Sequence, residues 1–249
     1  MKNVLITDLD RTIIHSKNPS FTCVEKYNGR EITFMTDKAI EILDDLLSRK
    51  DFVFVPCTMR KFHQTMRVDF ISEYKPKYMI CENGAQIYVD GELDEEWEAH
   101  MRTIVNPSKV ENGIEKIKSL NFNFRDLLNI DGFYIAISFH NENDANDAYE
   151  SIASMFENPF NTIQVGRKIF VIHNMIDKVY AVEYLVKKYN IGRFITSGDS
   201  EADERFTTLG DAILPRHASF RHWDAAVTGK TGIYSTEDIL NYVKETFYN

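Results

Sequence analysis

Three short runs constrain this chain more than any other feature, because each stops at a residue able to do chemistry. Val4-Leu5-Ile6 ends in Thr7-Asp8-Leu9-Asp10, Phe52-Val53-Phe54-Val55 ends in Pro56-Cys57-Thr58, and Arg193 to Thr196 ends in Ser197-Gly198-Asp199-Ser200. Runs of this length are too short for helices and read as buried strands of a parallel sheet. Ligands of open parallel sheets bind beyond the carboxyl ends of the strands. Asp8 with Asp10, Thr58, and Asp199 with Asp203 are therefore expected to converge on one edge.

The segments between these runs complete an α/β pattern. Apolar residues at Ala39, Ile40, Leu43, Leu46 and Leu47 form the stripe of an amphipathic helix over 37–49. Asn28-Gly29, flanked by β-formers, marks a hairpin over 24–34. A helix is expected over 61–74 and a third strand over 78–81, ending at Glu82-Asn83-Gly84. Later come a helix over 181–189 and short strands at 212–214 and 225–227. From residue 86 to about 170 the rhythm changes: helical stretches near 109–120 and 144–156 are mixed with an alternating strand at 133–139. This is an α+β unit inserted into the main domain. The expected division is a core of 1–84 and 169–249 with an insert of 85–168.

Charge and cysteine usage exclude several functions. Lys and Arg total 29 against 38 Asp and Glu, a net charge of −9, the opposite balance to that of a nucleic-acid binder. An anionic ligand then needs a metal ion or local cations to overcome the field. Cys23, Cys57 and Cys81 are odd in number and lack Cys-x-x-Cys spacing, so neither a disulfide framework nor a structural zinc site is expected. The first apolar run is too short for a secretory signal, and no stretch approaches the ~18 apolar residues of a membrane span. A cytoplasmic monomer or weak homo-oligomer with no membrane partner is expected.

Asp8 and Asp10 lie two residues apart on one side of an extended backbone, where two carboxylates repel unless a cation or a proton intervenes. Oxygen-rich carboxylate clusters suit Mg²⁺. Taken alone, Asp8-Leu9-Asp10 reads as no more than a polar junction between strand and loop. It is not alone. Asp8-Leu9-Asp10-Arg11-Thr12, Thr58, Lys178 and Gly198-Asp199-Ser200-Glu201-Ala202-Asp203 together resemble the four motifs of the haloacid dehalogenase superfamily, in that family's order. The insert sits where the subgroup with large α/β caps carries its cap, and Glu82-Asn83-Gly84-Ala85 is similar to that subgroup's entry into it. Sucrose-phosphate phosphatases and Cof-type sugar-phosphate phosphatases belong there, as do eukaryotic phosphomannomutases.

The resemblance implies a Rossmann-like core with an α+β cap, and Mg²⁺-dependent hydrolysis of a small phosphorylated metabolite. Asp8 is implied as the nucleophile and Asp10 as the general acid and base. Thr58 and Lys178 are implied to hold the phosphoryl oxygens, with Thr12, Arg60 and Arg11 near the substrate. Asp8, Asp199 and the backbone carbonyl of Asp10 are implied metal ligands, supported by Asp203. Three positions depart from the pattern: Arg11 and Met59 stand where relatives have Gly, and Ala202 where they have Asn. In the cap, Arg125, Arg167 and Lys168 are candidates for reading a second anionic group. His15 and Ser16 are either substrate contacts or flap residues, and His173-Asn174 either face the cleft or fill a loop. His217, His222 and Trp223 are expected to cap or pack the last elements, and the acidic run from Glu92 to Glu98 to be a solvated face. A phosphomutase and a phosphate-binding module without turnover are the rival functions.

Overall fold

A computed structural model describes residues 2–16 and 18–248. The chain divides into two compact units, Met1–Asp94 with Asp177–Asn249, and Glu95–Ile176.

In the first unit, β1 (Asn3–Thr7) is followed by the short β2 (His15–Ser16) and by a flap hairpin of β3 (Thr22–Tyr27) and β4 (Arg30–Met35). Asn28 and Gly29 both take positive φ, 51° and 73°, the turn whose twist matches a tight hairpin. The stripe at 37–49 forms α1 (Asp37–Leu47), whose N-cap Thr36 accepts from the Ala39 N–H at 3.1 Å. Next come β5 (Phe52–Pro56), α2 (Phe62–Thr65) and α3 (Asp69–Tyr74). The helix expected over 61–74 is thus two short helices, broken at residues 66–68. The third strand, β6 (Tyr78–Cys81), pairs antiparallel with β7 (Gln86–Val89), which pairs in turn with β8 (Glu92–Leu93). Its tie to the parallel sheet is an isolated bridge, Cys57 to Ile80.

The second unit has α+β character: α4 (Glu95–Ile104), α5 (Pro107–Lys118), β9 (Phe124–Ile130), β10 (Tyr134–Phe139), α6 (Glu142–Ala153), β11 (Phe160–Val165) and β12 (Lys168–His173). Its four strands form an antiparallel sheet ordered β11-β12-β10-β9. Ile135, Ile137, Ile169 and Val171 are buried within this unit.

The chain then returns to the first unit with α7 (Lys178–Lys188), β13 (Phe194–Ser197), α8 (Glu204–Thr207), β14 (Asp211–Leu214), β15 (Ala226–Val227) and α9 (Ser235–Tyr248). Among the described residues the central sheet is five-stranded, parallel throughout and ordered β15-β14-β13-β1-β5. Leu5, Phe54 and Ile195 on its strands, Leu43 and Leu46 of α1, and Ile239 of α9 belong to one buried cluster. The chain leaves β1 for β5 on one side and returns as β13 on the other. β1 is therefore the switch point of the sheet, where ligand clefts form. None of the helices is long and apolar enough to cross a membrane among the described residues.

The acidic run is not a uniformly solvated face. Asp94 is buried: its carboxylate accepts from Lys188 Nζ at 2.9 and 3.1 Å and from the Tyr184 hydroxyl at 3.0 Å. A buried carboxylate deprived of its cation is costly. Lys188→Met is expected to cost about 2 kcal/mol, less than for a fully buried pair because Lys188 keeps contact with water. The lower midpoint of denaturant unfolding at neutral pH measures it.

Candidate active site

Asp8 follows β1 directly, and its carboxylate is anchored from two sides. Lys178 Nζ donates to Oδ1 at 2.8 Å and the buried Thr12 hydroxyl to Oδ2 at 3.4 Å. Lys178 itself is 1% exposed and begins α7. A cation in the first turn opposes the helix dipole and is costly to bury. Two carboxylates offset this, since Lys178 Nζ also donates to Asp203 Oδ1 at 2.6 Å. Burial would lower the Lys178 ammonium, but Asp203 and Asp8 outweigh it and hold the group above its ordinary range.

Asp203 stands beneath the loop after β13. Its Oδ2 accepts from the Asp199 N–H at 3.1 Å, the Ser200 N–H at 3.0 Å and the Ser200 hydroxyl at 2.8 Å. Gly198 permits this approach, because a Cβ there would lie 2.3 Å from that of Asp203. Asp199 is buried; its Oδ2 accepts no hydrogen bond, and Arg11 Nε lies 3.2 Å away. Burial lifts Asp199 to about 6, against Arg11 and with help from Asp203. Burial pushes Asp8 well above the ordinary carboxylate range; Lys178 opposes the rise, and Asp203, Asp199 and Asp10 add to it.

Oxygens of Asp8, Asp199 and Asp203 lie within 4.8 Å of one another. An all-oxygen cluster with one carboxylate oxygen that accepts no hydrogen bond and with excess negative charge fits Mg²⁺. Asp203 is already saturated by its neighbours, so Asp8 and Asp199 are the better placed of the three to meet an ion.

Asp10 lies on the turn beyond and is exposed. Arg60 grips it with both ends of its fork, Nε to Oδ2 and Nη2 to Oδ1, each at 2.7 Å. The remaining nitrogen, Nη1, goes to Glu25 Oε2 at 2.9 Å. The guanidinium named from sequence as a substrate contact thus holds two side chains of the protein. Thr58, 1% exposed, accepts the Arg60 N–H on its hydroxyl at 3.2 Å.

The sequence pattern described as "sucrose-6F-phosphate phosphohydrolase" matches residues 1–213 of this chain. The chain belongs to that family. It is accordingly a phosphatase of the haloacid dehalogenase superfamily. Solved structures agree in fold. The sucrose-phosphatase from Synechocystis sp. PCC6803, in complex with sucrose and phosphate, is 15% identical, with 98% of this chain and 99% of that chain covered at a TM-score of 0.68. A protein from Thermotoga maritima is 17% identical, with 97% of each chain covered at 0.69. A haloacid dehalogenase-like hydrolase from Bacteroides thetaiotaomicron is 12% identical, with 99% of this chain and 100% of that chain covered at 0.66. No curated protein matches the sequence significantly.

Arg11, marked in the sequence as a departure from a motif glycine, takes the kind of backbone that glycine favours. Its φ is +67°, a region most side chains avoid. The Arg11 carbonyl accepts from His217 Nε2 at 2.8 Å, while His217 Nδ1 accepts the Gly232 N–H; the imidazole thus secures the strained turn. His222 bonds the Thr207 hydroxyl at 2.9 Å, whereas Trp223 packs on nothing and is 97% exposed. In the second unit, Arg125 pairs with Asp126 at 2.7 Å, Arg167 is exposed in the turn between β11 and β12, and Lys168 is exposed at the start of β12. His173 is buried, its Nδ1 accepting the Met175 N–H, and Asn174 is exposed. Ser16 is exposed as well. Sequence reading missed Glu25 and Asp94.

His15 is 5% exposed and bonds Thr236 Oγ1 at 3.0 Å; that hydroxyl donates to the Thr12 carbonyl, so His15 is the donor to it. Burial, then His217 and Arg11, push the imidazole from an ordinary 6.5 down to about 4. Between those values the unfolded chain binds a proton that the folded chain refuses. Stability should therefore fall as pH drops from 6.5 to 4, with at most about 3 kcal/mol from this group. Unfolding midpoints across that range should fall less steeply in His15→Gln than in the wild type.

Proposed function

We propose that the chain is a Mg²⁺-dependent sugar-phosphate phosphatase that works through an aspartyl-phosphate on Asp8. The observation that carries this reading is the Asp8 carboxylate, set at the switch point of the sheet between Lys178 and the Asp199–Asp203 loop. The family description and the sugar named with the Synechocystis enzyme support a sugar phosphate as substrate.

In the first step a carboxylate oxygen of Asp8 attacks phosphorus in line, the P–O bond to the sugar breaks, and Asp10 gives its proton to the departing oxygen. In the second step Asp10 takes a proton from water, the water oxygen bonds phosphorus, and phosphate leaves with Asp8 restored. Lys178 holds one non-bridging oxygen of the phosphoryl group and the Thr58 hydroxyl another. Asp8, Asp199 and the Asp10 carbonyl would hold Mg²⁺, supported by Asp203, and the ion when bound would neutralise charge on the transferring group. Arg11, exposed beside Asp199, offers a further cation to the substrate. Arg125, Arg167 and Lys168 supply candidate contacts from the cap.

A screen of phosphate release over sugar phosphates, with Mg²⁺ and with EDTA, tests the reading. Release should require Mg²⁺ and be inhibited by Ca²⁺, whose longer bonds and larger shell suit the site less well. Full turnover in EDTA after removal of bound metal would defeat it. Asp8→Asn nearly preserves volume but removes the nucleophile, so kcat should fall by about 10³-fold or more with the fold intact. Asp10→Asn should lose about 10²–10⁴-fold on alkyl esters and less on good leaving groups, which need little protonation. Wild-type phosphate release by purified Asp8→Asn protein would overturn the covalent route.

A further inference from the structure

A carboxylate buried in the flap hairpin belongs to none of the motifs. Glu25 lies on β3 and is 0% exposed, where an unpaired charge would cost several kcal/mol. Its Oε2 accepts from Arg60 Nη1 at 2.9 Å and from the Thr33 hydroxyl at 3.2 Å, and its Oε1 from Arg67 Nε at 3.1 Å. Its backbone is fixed too, by an antiparallel bridge to Val68 and by pairing to β4. Glu25 is thus a rigid anchor for one corner of the Arg60 guanidinium, and a guanidinium is planar. Fixing one corner directs the other two nitrogens, which are those that grip Asp10. Asp10 has little other restraint, because its side chain is half exposed.

We propose that Glu25 is a positioning residue for proton transfer: through Arg60 it sets the direction of the Asp10 carboxylate. This rests on the acid–base role given to Asp10 above. Small misplacements of a proton donor are expensive in rate, whereas the hydrogen bonds of Glu25 and of the Arg60 guanidinium among the described residues do not reach Asp8, Lys178 or Asp199.

The test compares kcat/KM, which covers the steps up to formation of the aspartyl-phosphate, for a hexose phosphate and for p-nitrophenyl phosphate. Glu25→Gln should lower it about 10–100-fold for the alkyl ester and less than about threefold for the aryl ester. Glu25→Asp, which keeps the charge, should recover part of the loss. In an Asp10→Asn background Glu25→Gln should have no further effect, because the group it directs is gone. Arg60→Lys keeps the charge but not the fork, and should reproduce the Glu25→Gln pattern even if the latter fails to fold. Equal losses on both esters, or losses that multiply in the Asp10→Asn background, would overturn the proposal and leave Glu25 a purely structural residue. A wild-type protein that releases phosphate while Asp10→Asn is fully active on the alkyl ester would overturn the acid–base reading, and the positioning role with it.

Discussion

Lys178 sits where electrostatics least favours a cation, buried and at the positive end of a helix, and two carboxylates hold it there. Each partner is fixed by a different part of the sequence. Asp8 comes from the end of β1, Asp203 from the loop after β13, and Lys178 from the first turn of α7. None of the three charges is tolerable alone at that depth. The ion triad therefore locks two adjacent strand ends and a helix terminus into one register, and the Asp199 loop hangs from it through Asp203.

The same arithmetic of charge explains why the site asks for a cation. Asp8, Asp199 and Asp203 outnumber Lys178, and burial, reinforced by the neighbouring carboxylates, displaces Asp8 and Asp199 upward. Arg11 leans on Asp199 from outside, at the end of an exposed side chain. A phosphate entering this field would meet net repulsion without a metal. Asp10 also belongs to a second circuit, which runs through Arg60 to the flap.

The central sheet was legible because a parallel strand buried on both faces writes itself as a bare apolar run, and because its ligands sit at its carboxyl ends. Asp8, Thr58, Asp199 and Asp203 follow such strand ends, whereas Lys178 opens α7. Other features leave no local trace. The partner of β6 is decided by chain geometry at Glu82-Asn83-Gly84, where all three residues take positive φ, and a four-residue apolar strand looks alike in either sheet. Glu25 escaped notice because register shifts flank it in the β3–β4 pairing, so Val24 and Glu25 are buried in succession. A bulge of that kind breaks the alternation from which an inward residue is read. Asp94 was hidden in an acidic run whose glutamates are exposed or half-buried, and its partners lie about ninety residues away in sequence.

The two tryptophans of the chain stand in opposite surroundings. Trp97, on α4 in the second unit, is 4% exposed, while Trp223 is 97% exposed. The loop that carries Trp223 is tethered to the candidate metal site, since the Ser219 N–H donates to the Asp199 carbonyl at 2.8 Å. Indole fluorescence shifts to longer wavelength and becomes open to aqueous quenchers as water reaches the ring. The chain is therefore optically labelled by its own sequence, with a quenchable red-edge signal from the loop beside Asp199 and a shielded blue-edge signal from the interior of the insert.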